Sequence, residues 1–388
     1  MTSIKTRTFG AVLIVLAGFV WTGAAQAIPA WARQYEKDCS SCHTAWPQLN
    51  KQGREFKENG YRMSDQVGKS VEHDSFPVSA VLISRPYDKK DSQDDPRSRL
   101  LHELEVFIGG AIGDEFSGFL EIEYEDANDQ ALNDQIKPGM LAWNFSPAFN
   151  LQAVWGQSFF SDPYGFLRGL QHVTRGQVGV IDSEYGGTDG NFNSSRQSLT
   201  ATGRLGGKVF YSLGVSGEAS DVDAVNAQNI NARVAYDITD KIMVGALLIE
   251  GDATSSNRNY SRYGVDSQID IGDSRINLAY IQGSDDVCGA SDCTGLSTSS
   301  VDNDAYSAQW LYTFTTEGGR PTFVPTVRFD HYENAQASGE SADFDEIVLN
   351  LAYYVRENVK LYVEYWDRDG PTSADDDSRI TLQAHIGF

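Results

Sequence analysis

The chain has 388 residues, a formal net charge of -23 and a pI of about 4.5. That acidity excludes the electrostatic footprint of a nucleic-acid binder and favours cations near the surface, besides aiding solubility. Aromatics at 11% and 36 glycines suit short strands and tight turns, and the length fits two or three ordinary domains or one large β-structure.

Residues 1–27 read as an export signal. Lys5 and Arg7 form a positive n-region, Phe9 to Val20 an apolar run, and Ala25-Gln26-Ala27 an A-x-A cleavage site. The run is too short to span a bilayer comfortably, which disfavours an anchor. Removal of the signal takes the net charge to about -25.

Residues 28–75 form a second unit with helical grammar. Cys39-Ser40-Ser41-Cys42-His43 is C-x-x-C-H, the attachment signature of a c-type haem. Two thiols at this spacing reach the two vinyl groups of one porphyrin, and the adjacent imidazole becomes the proximal iron ligand. A redox dithiol is the competing reading, but no βαβ pattern surrounds the motif. Pro47 is placed to open a helix through Gln48–Asn59, with Leu49, Gly53 and Phe56 on one face and Gly60 as a left-handed cap. Under 50 residues rarely hold a core alone, so one covalent haem would supply apolar surface and something else must cover it. For the distal ligand, Met63 is the first candidate and His73 the rival; a lumenal ligand, or none, is the third reading. Methionine ligation raises a haem's potential, whereas a plain packing role for Met63 is the structural alternative.

From residue 76 to 388 the period changes to two. Ile380, Leu382, Ala384, Ile386 and Phe388 alternate with Thr381, Gln383, His385 and Gly387. Similar alternation defines about sixteen segments, starting near residues 76, 98, 115, 136, 149, 197, 208, 227, 241, 260, 274, 304, 321, 343, 358 and 377. Short links (Gly113-Asp114, Pro147-Ala148, Gly206-Gly207, Thr239-Asp240, Gly272-Asp273, the slightly longer 316–320, and Arg356-Glu357-Asn358) alternate with longer polar ones. This predicts a mainly β protein: an up-and-down outer-membrane β-barrel of about 16 strands behind a small α-helical haem segment. An even strand count returns both barrel termini to the periplasmic side, and Phe388 suits the end signal of such barrels. A soluble sandwich or propeller is the rival, and no 40-residue repeat supports it.

Alternation turns Glu103, Glu105, Glu121, Glu123 and Glu125 inward, with Arg233, Arg328, Asp330, Lys360, Glu364, Arg368 and His385. Such a lumen is wet or filled by a polar plug. Cys288 and Cys293 lie in a Gly/Ser/Asp/Thr-rich loop and predict a local disulfide in an oxidising compartment. Loop acids at Asp91, Asp94, Asp95, Asp285, Asp286, Asp292, Asp375, Asp376 and Asp377 suit hydrated divalent cations, in lipopolysaccharide bridging more than in a specific iron site.

Export signal, C-x-x-C-H and barrel together resemble the outer-membrane cytochrome–porin fusions of iron-oxidising bacteria. The specific likeness covers Ile28-Pro29-Ala30-Trp31-Ala32-Arg33, Cys39 to His43, Gly53-Arg54-Glu55-Phe56 and Asn59-Gly60-Tyr61; over the barrel it is one of pattern. The resemblance implies a ferrous iron-oxidising oxidoreductase of the outer membrane. Ferrous iron outside gives an electron to haem c, and a periplasmic cytochrome or other acceptor receives it, leaving ferric solids outside. Two other readings stand beside it: a porin-like channel with a haem-containing plug, and a conduit for a different extracellular donor or acceptor.

Overall fold

A computed structural model describes residues 29–70, 77–125, 136–165, 195–217, 229–253, 258–287, 299–334, 343–370 and 376–388. The proposed signal, His73, Cys288, Cys293 and most of 161–196 lie outside the described residues. No described helix is long and apolar enough to cross a membrane; crossing here falls to strands.

The barrel begins at β3 (Val78–Lys90) and continues through β4 (Arg97–Ile112), β5 (Phe116–Glu125), β6 (Ile136–Ser146), β7 (Phe149–Gly156), β8 (Arg196–Leu205), β9 (Val209–Ser216) and β10 (Asn229–Thr239). It is completed by β11 (Ile242–Ala253), β12 (Arg258–Ile271), β13 (Ser274–Val287), β14 (Ser299–Tyr312), β16 (Pro321–Asn334), β17 (Phe344–Arg356), β18 (Val359–Asp369) and β19 (Asp377–Gly387). A two-residue strand, β15 (Phe314–Thr315), sits in the slightly longer 313–320 link, beside a direct β14–β16 pairing. The sheet is a closed, antiparallel barrel of 16 strands, as the alternation predicts. Closure is made by β19 against β3, where Phe388 and Ala80 exchange backbone hydrogen bonds at 2.9 Å. Closure matters because an open edge in lipid leaves unpaired backbone groups.

The wall is inverted relative to a soluble protein. Along β17, Val348, Asn350, Ala352 and Tyr354 are buried inward while Ile347, Leu349, Leu351 and Tyr353 face out. Ile230 and Val265 are 59% and 55% exposed, whereas Arg233 and Arg328 are 0% exposed. An apolar exterior over a charged interior is what a bilayer selects. Near the short turns the outer face turns aromatic: Phe116 stacks on Trp143 at 5.6 Å, Trp143 on Phe145 at 4.3 Å, and Phe323 lies 4.8 Å from Tyr353. Amphipathic rings favour the membrane–water boundary, so this girdle marks one interface.

Residues 29–70 form a plug in the short-turn end. It comprises α1 (Pro29–Tyr35), a 3₁₀ turn at Cys39–Ser41, a small hairpin of β1 (His43–Ala45) and β2 (Gln48–Leu49), then α2 (Lys51–Glu58). The sequence-based helix is thus shortened. Pro47 lies in the hairpin turn rather than opening a helix, and Leu49 belongs to β2. Asn50 caps α2 instead: its side chain accepts from the Gly53 backbone N–H at 3.0 Å and donates to the Ser40 and Ser41 carbonyls, tying the helix to the cysteine turn.

Candidate functional site

The plug is held by the wall, not by itself. Glu357, in the tight β17–β18 turn, accepts from the Cys39 backbone N–H at 2.7 Å and from the Ser40 N–H at 3.3 Å. Arg204 grips Glu58 with two bonds of 2.6 and 2.7 Å. Arg275 donates to the Gln48 side chain and the Leu49 carbonyl at 3.1 Å, and the Tyr354 hydroxyl to the Trp46 carbonyl at 2.5 Å. Arg62, wholly buried, donates to the Lys69, Gly113 and Phe116 carbonyls. The last two flank a short turn, so Arg62 ties the plug to the barrel rim.

Two glycines let the pieces approach. A Cβ on Gly53 would lie 2.2 Å from the Cys42 carbonyl oxygen, so α2 packs directly on the cysteine segment. Gly60 has φ +65, and its Cβ would meet Ser117 and Asn144 of the wall. The left-handed cap predicted at Gly60 is present.

Between plug and wall lies a cavity of about 490 Å³, within the ~300–1,000 Å³ range usual for cofactor sites. Cys39, Cys42, His43 and Met63 all line it. Trp31, Phe56 and Tyr61 form an aromatic wall from the plug, with Trp31 stacked on Tyr61 at 4.6 Å. Phe107, Phe119 and Phe160 add the barrel's share, while Arg85, Glu103, Glu105, Glu121, Lys360 and His385 make a charged sector. The inward orientation read from alternation holds for Glu103, Glu105, Glu121, Lys360 and His385.

Within the motif, Cys39 and Cys42 are not joined to one another by a disulfide. Burial pushes the Cys42 thiol up, so it stays protonated at neutral pH. The His43 Nδ1 lies 3.2 Å from the Pro47 carbonyl oxygen. With Nδ1–H donating there, Nε2 keeps its lone pair for a metal. Burial also pushes His43 down to about 4, keeping the imidazole neutral, which is the ligand form. Two thiols, an imidazole with Nδ1 facing a carbonyl, a thioether and a mostly apolar cavity with an aromatic wall together fit a covalently held porphyrin. Met63 shares the cavity; its sulfur is 3.8 Å from the Gln52 amide. The rival His73 lies outside the described residues.

Sequence reasoning missed the anchors. Glu357, Arg204, Arg275 and Arg62 carry no motif, and Glu357 was legible only as part of a turn. Among the described residues, a grouping of three potential metal ligands occurs at Glu103, Glu105 and Glu123 in the lumen, not in the acidic loops. Of the loop acids, Asp377 pairs with Lys90 at 2.7 Å.

No protein-family profile matches the chain, and no curated protein matches it in sequence. Solved structures match the fold. OmpT of Vibrio cholerae is 14% identical over 80% of this chain and 97% of its own, with a TM-score of 0.57. An anion-selective porin from Comamonas acidovorans is 11% identical over 80% and 98%, also at 0.57. Salmonella typhi OmpF, in complex with daunomycin, is 16% identical over 80% and 97%, at 0.54. The chain therefore has the porin-like fold of an outer-membrane β-barrel. The likeness concerns the barrel; the C-x-x-C-H reading rests on the chain's own residues.

Proposed function

We propose that the chain is an outer-membrane electron-transfer protein that oxidises extracellular ferrous iron and passes the electron through one haem c to a periplasmic cytochrome or other acceptor. The observation that carries this reading is the convergence of Cys39, Cys42, His43 and Met63 on one aromatic-lined cavity inside the short-turn mouth of the barrel. Short turns face the periplasm in barrels of this kind, so the cavity opens a route between two compartments. The bound haem would supply one-electron storage. Cys39 and Cys42 would hold it by thioethers and His43 Nε2 would take the proximal site; Met63 is the distal candidate. Trp31, Tyr61 and Phe119 give the cavity an apolar side, which favours a low local dielectric around a redox centre. Glu357, Arg204 and Arg62 fix the plug, so the cofactor's position would be set by the barrel.

The test is direct. Detergent-purified protein made with intact haem-c maturation is expected to carry one low-spin haem c that anaerobic ferrous iron reduces, followed by its visible absorbance. Haem that stays oxidised under excess ferrous iron and a favourable potential removes iron as donor, leaving a conduit for another donor.

The porin-like fold favours a second reading, a transport channel with the haem segment as plug or gate. Against free passage stands the burial of inward side chains in two ion-paired clusters, Arg233 with Asp266 and Arg328 with Asp330 and Glu346. Planar-bilayer recordings separate the two: the conduit is expected to pass almost no ions, whereas a large steady conductance favours the channel.

A further inference from the structure

We propose that Arg85 and Lys360 form a cation pole of the cavity that receives the two propionate carboxylates of the porphyrin; this rests on the haem reading above. Both residues line the cavity, yet neither belongs to the cysteine segment. They sit on one patch of wall. Lys360 on β18 pairs with His385 on β19, which pairs with Ile83 on β3, and Arg85 follows two residues along that strand.

Lys360 is 3% exposed. Among the described residues its ammonium has neither a hydrogen bond nor a carboxylate within ion-pair distance; it lies over the Trp46 ring at 4.8 Å and the Tyr362 ring at 5.7 Å. Glu105 and Glu364 act on it only at longer range. A buried ammonium left with aromatic faces alone is poorly compensated, and a carboxylate delivered into the cavity would complete it.

Arg85 is the second half. Asp88 already accepts two bonds from Arg379 and one from Arg99 at 3.0 Å. Arg85 is the third guanidinium around this one carboxylate and stands off at 3.9 Å, with its Nε on the Gln383 amide oxygen at 2.7 Å. Asp88 is thus engaged by two other guanidiniums, Glu103 acts on Arg85 only at longer range, and Arg85 is the member of that group that lines the cavity. A haem carries an apolar ring and two carboxylates. The cavity offers aromatic walls for the first, and one lysine and one arginine for the second, in a setting where charge-assisted hydrogen bonds are strong.

The test uses the full-length, matured protein in detergent with Lys360→Met, Arg85→Gln and Lys360→Arg, and Lys51→Ala on the exposed plug surface as control. Covalent haem is measured first, on denatured protein. It is expected in all four variants, because thioethers and not propionates hold it. The propionate-bending band in resonance Raman is expected to shift in Lys360→Met and Arg85→Gln, and to match the parent in Lys51→Ala. The midpoint potential of Lys360→Met is expected to fall, tilting the couple toward ferric by up to about tenfold (59 mV for one electron), and Lys360→Arg is expected to restore it. Should Lys360→Met fail to form the barrel, Arg85→Gln decides the matter by the same band. Covalent haem with an unshifted propionate band in Arg85→Gln and in a folded Lys360→Met overturns the cation pole alone. A parent with no covalent haem overturns the haem reading and this one with it.

Discussion

The plug and the wall solve the same problem in opposite ways. Each wall strand hands its backbone hydrogen bonds to two neighbours until the ring closes, so the wall is self-sufficient. The plug has two helices of seven and eight residues and one small hairpin. Its polar groups are met largely by the wall, through Glu357, Arg204, Arg275 and the carbonyls that Arg62 reaches. A segment of this size lacks the core to fold alone. The contrast teaches that the barrel is a scaffold in the strict sense, and that the chemistry sits in the part that cannot stand without it.

The largest expected effect separates the two outright. Replacing both Cys39 and Cys42 by Ala is expected to abolish covalent haem, read as haem-stained signal on a denaturing gel. The barrel, read as heat-modifiable migration, is expected to survive. Loss of both signals together would mean that the wall needs the loaded plug, and the comparison would break.

The reverse experiment attacks the wall. Val265 stands mid-strand in β12 with its side chain outward. Val265→Arg is expected to destabilise the barrel in lipid vesicles by about 2–4 kcal/mol, the cost of a basic residue on the lipid face at the midplane. Denaturant unfolding of the vesicle-inserted protein measures it.

These two regions were unequally legible in the sequence. Strict alternation gave strand number, turn parity and the inward set, down to Lys360 and His385 in the cavity, because period two leaves one choice of face per strand. The start of β14 was displaced, at Ser299 rather than near 304, where Ser and Asp blur the alternation. In the plug, the cysteine spacing disclosed the chemistry, but the path of the chain did not follow from local preference. Pro47 and Leu49 fell into a hairpin that wall contacts such as Arg275 and Tyr354 stabilise. No window of local sequence encodes a partner two or three hundred residues away.

A graded test follows from one of those distant partners. Glu357 is half-buried and its carboxylate takes both backbone N–H groups at the start of the cysteine turn. Glu357→Ala is expected to weaken plug docking by about 1.5 kcal/mol, the low end for a hydrogen bond to a charged group because solvent reaches this one. The readout is faster proteolysis within residues 29–70, with barrel migration unchanged. An effect of this size on both would place Glu357 in wall stability instead.

The smallest effect is expected at a contact that looks similar on geometry alone. Lys51 of α2 meets Asp240 of a short turn at 2.8 Å, and the two side chains are 56% and 76% exposed. Water competes for both groups and the lysine must be ordered to make the bond, so exposed pairs of this kind contribute little. Arg204 and Glu58 span the same two regions at 2.6 Å with 10% and 4% exposure, where losing Glu58 leaves the buried Arg204 with only Asp237 and the Tyr164 hydroxyl and cuts its bond to the plug. Lys51→Ala is therefore expected to leave the proteolysis rate within error of the parent, whereas Glu58→Ala accelerates it. Equal rates for these two variants would mean that exposure does not rank the anchors, and that the plug is held by its backbone contacts and aromatic stacking rather than by its charges.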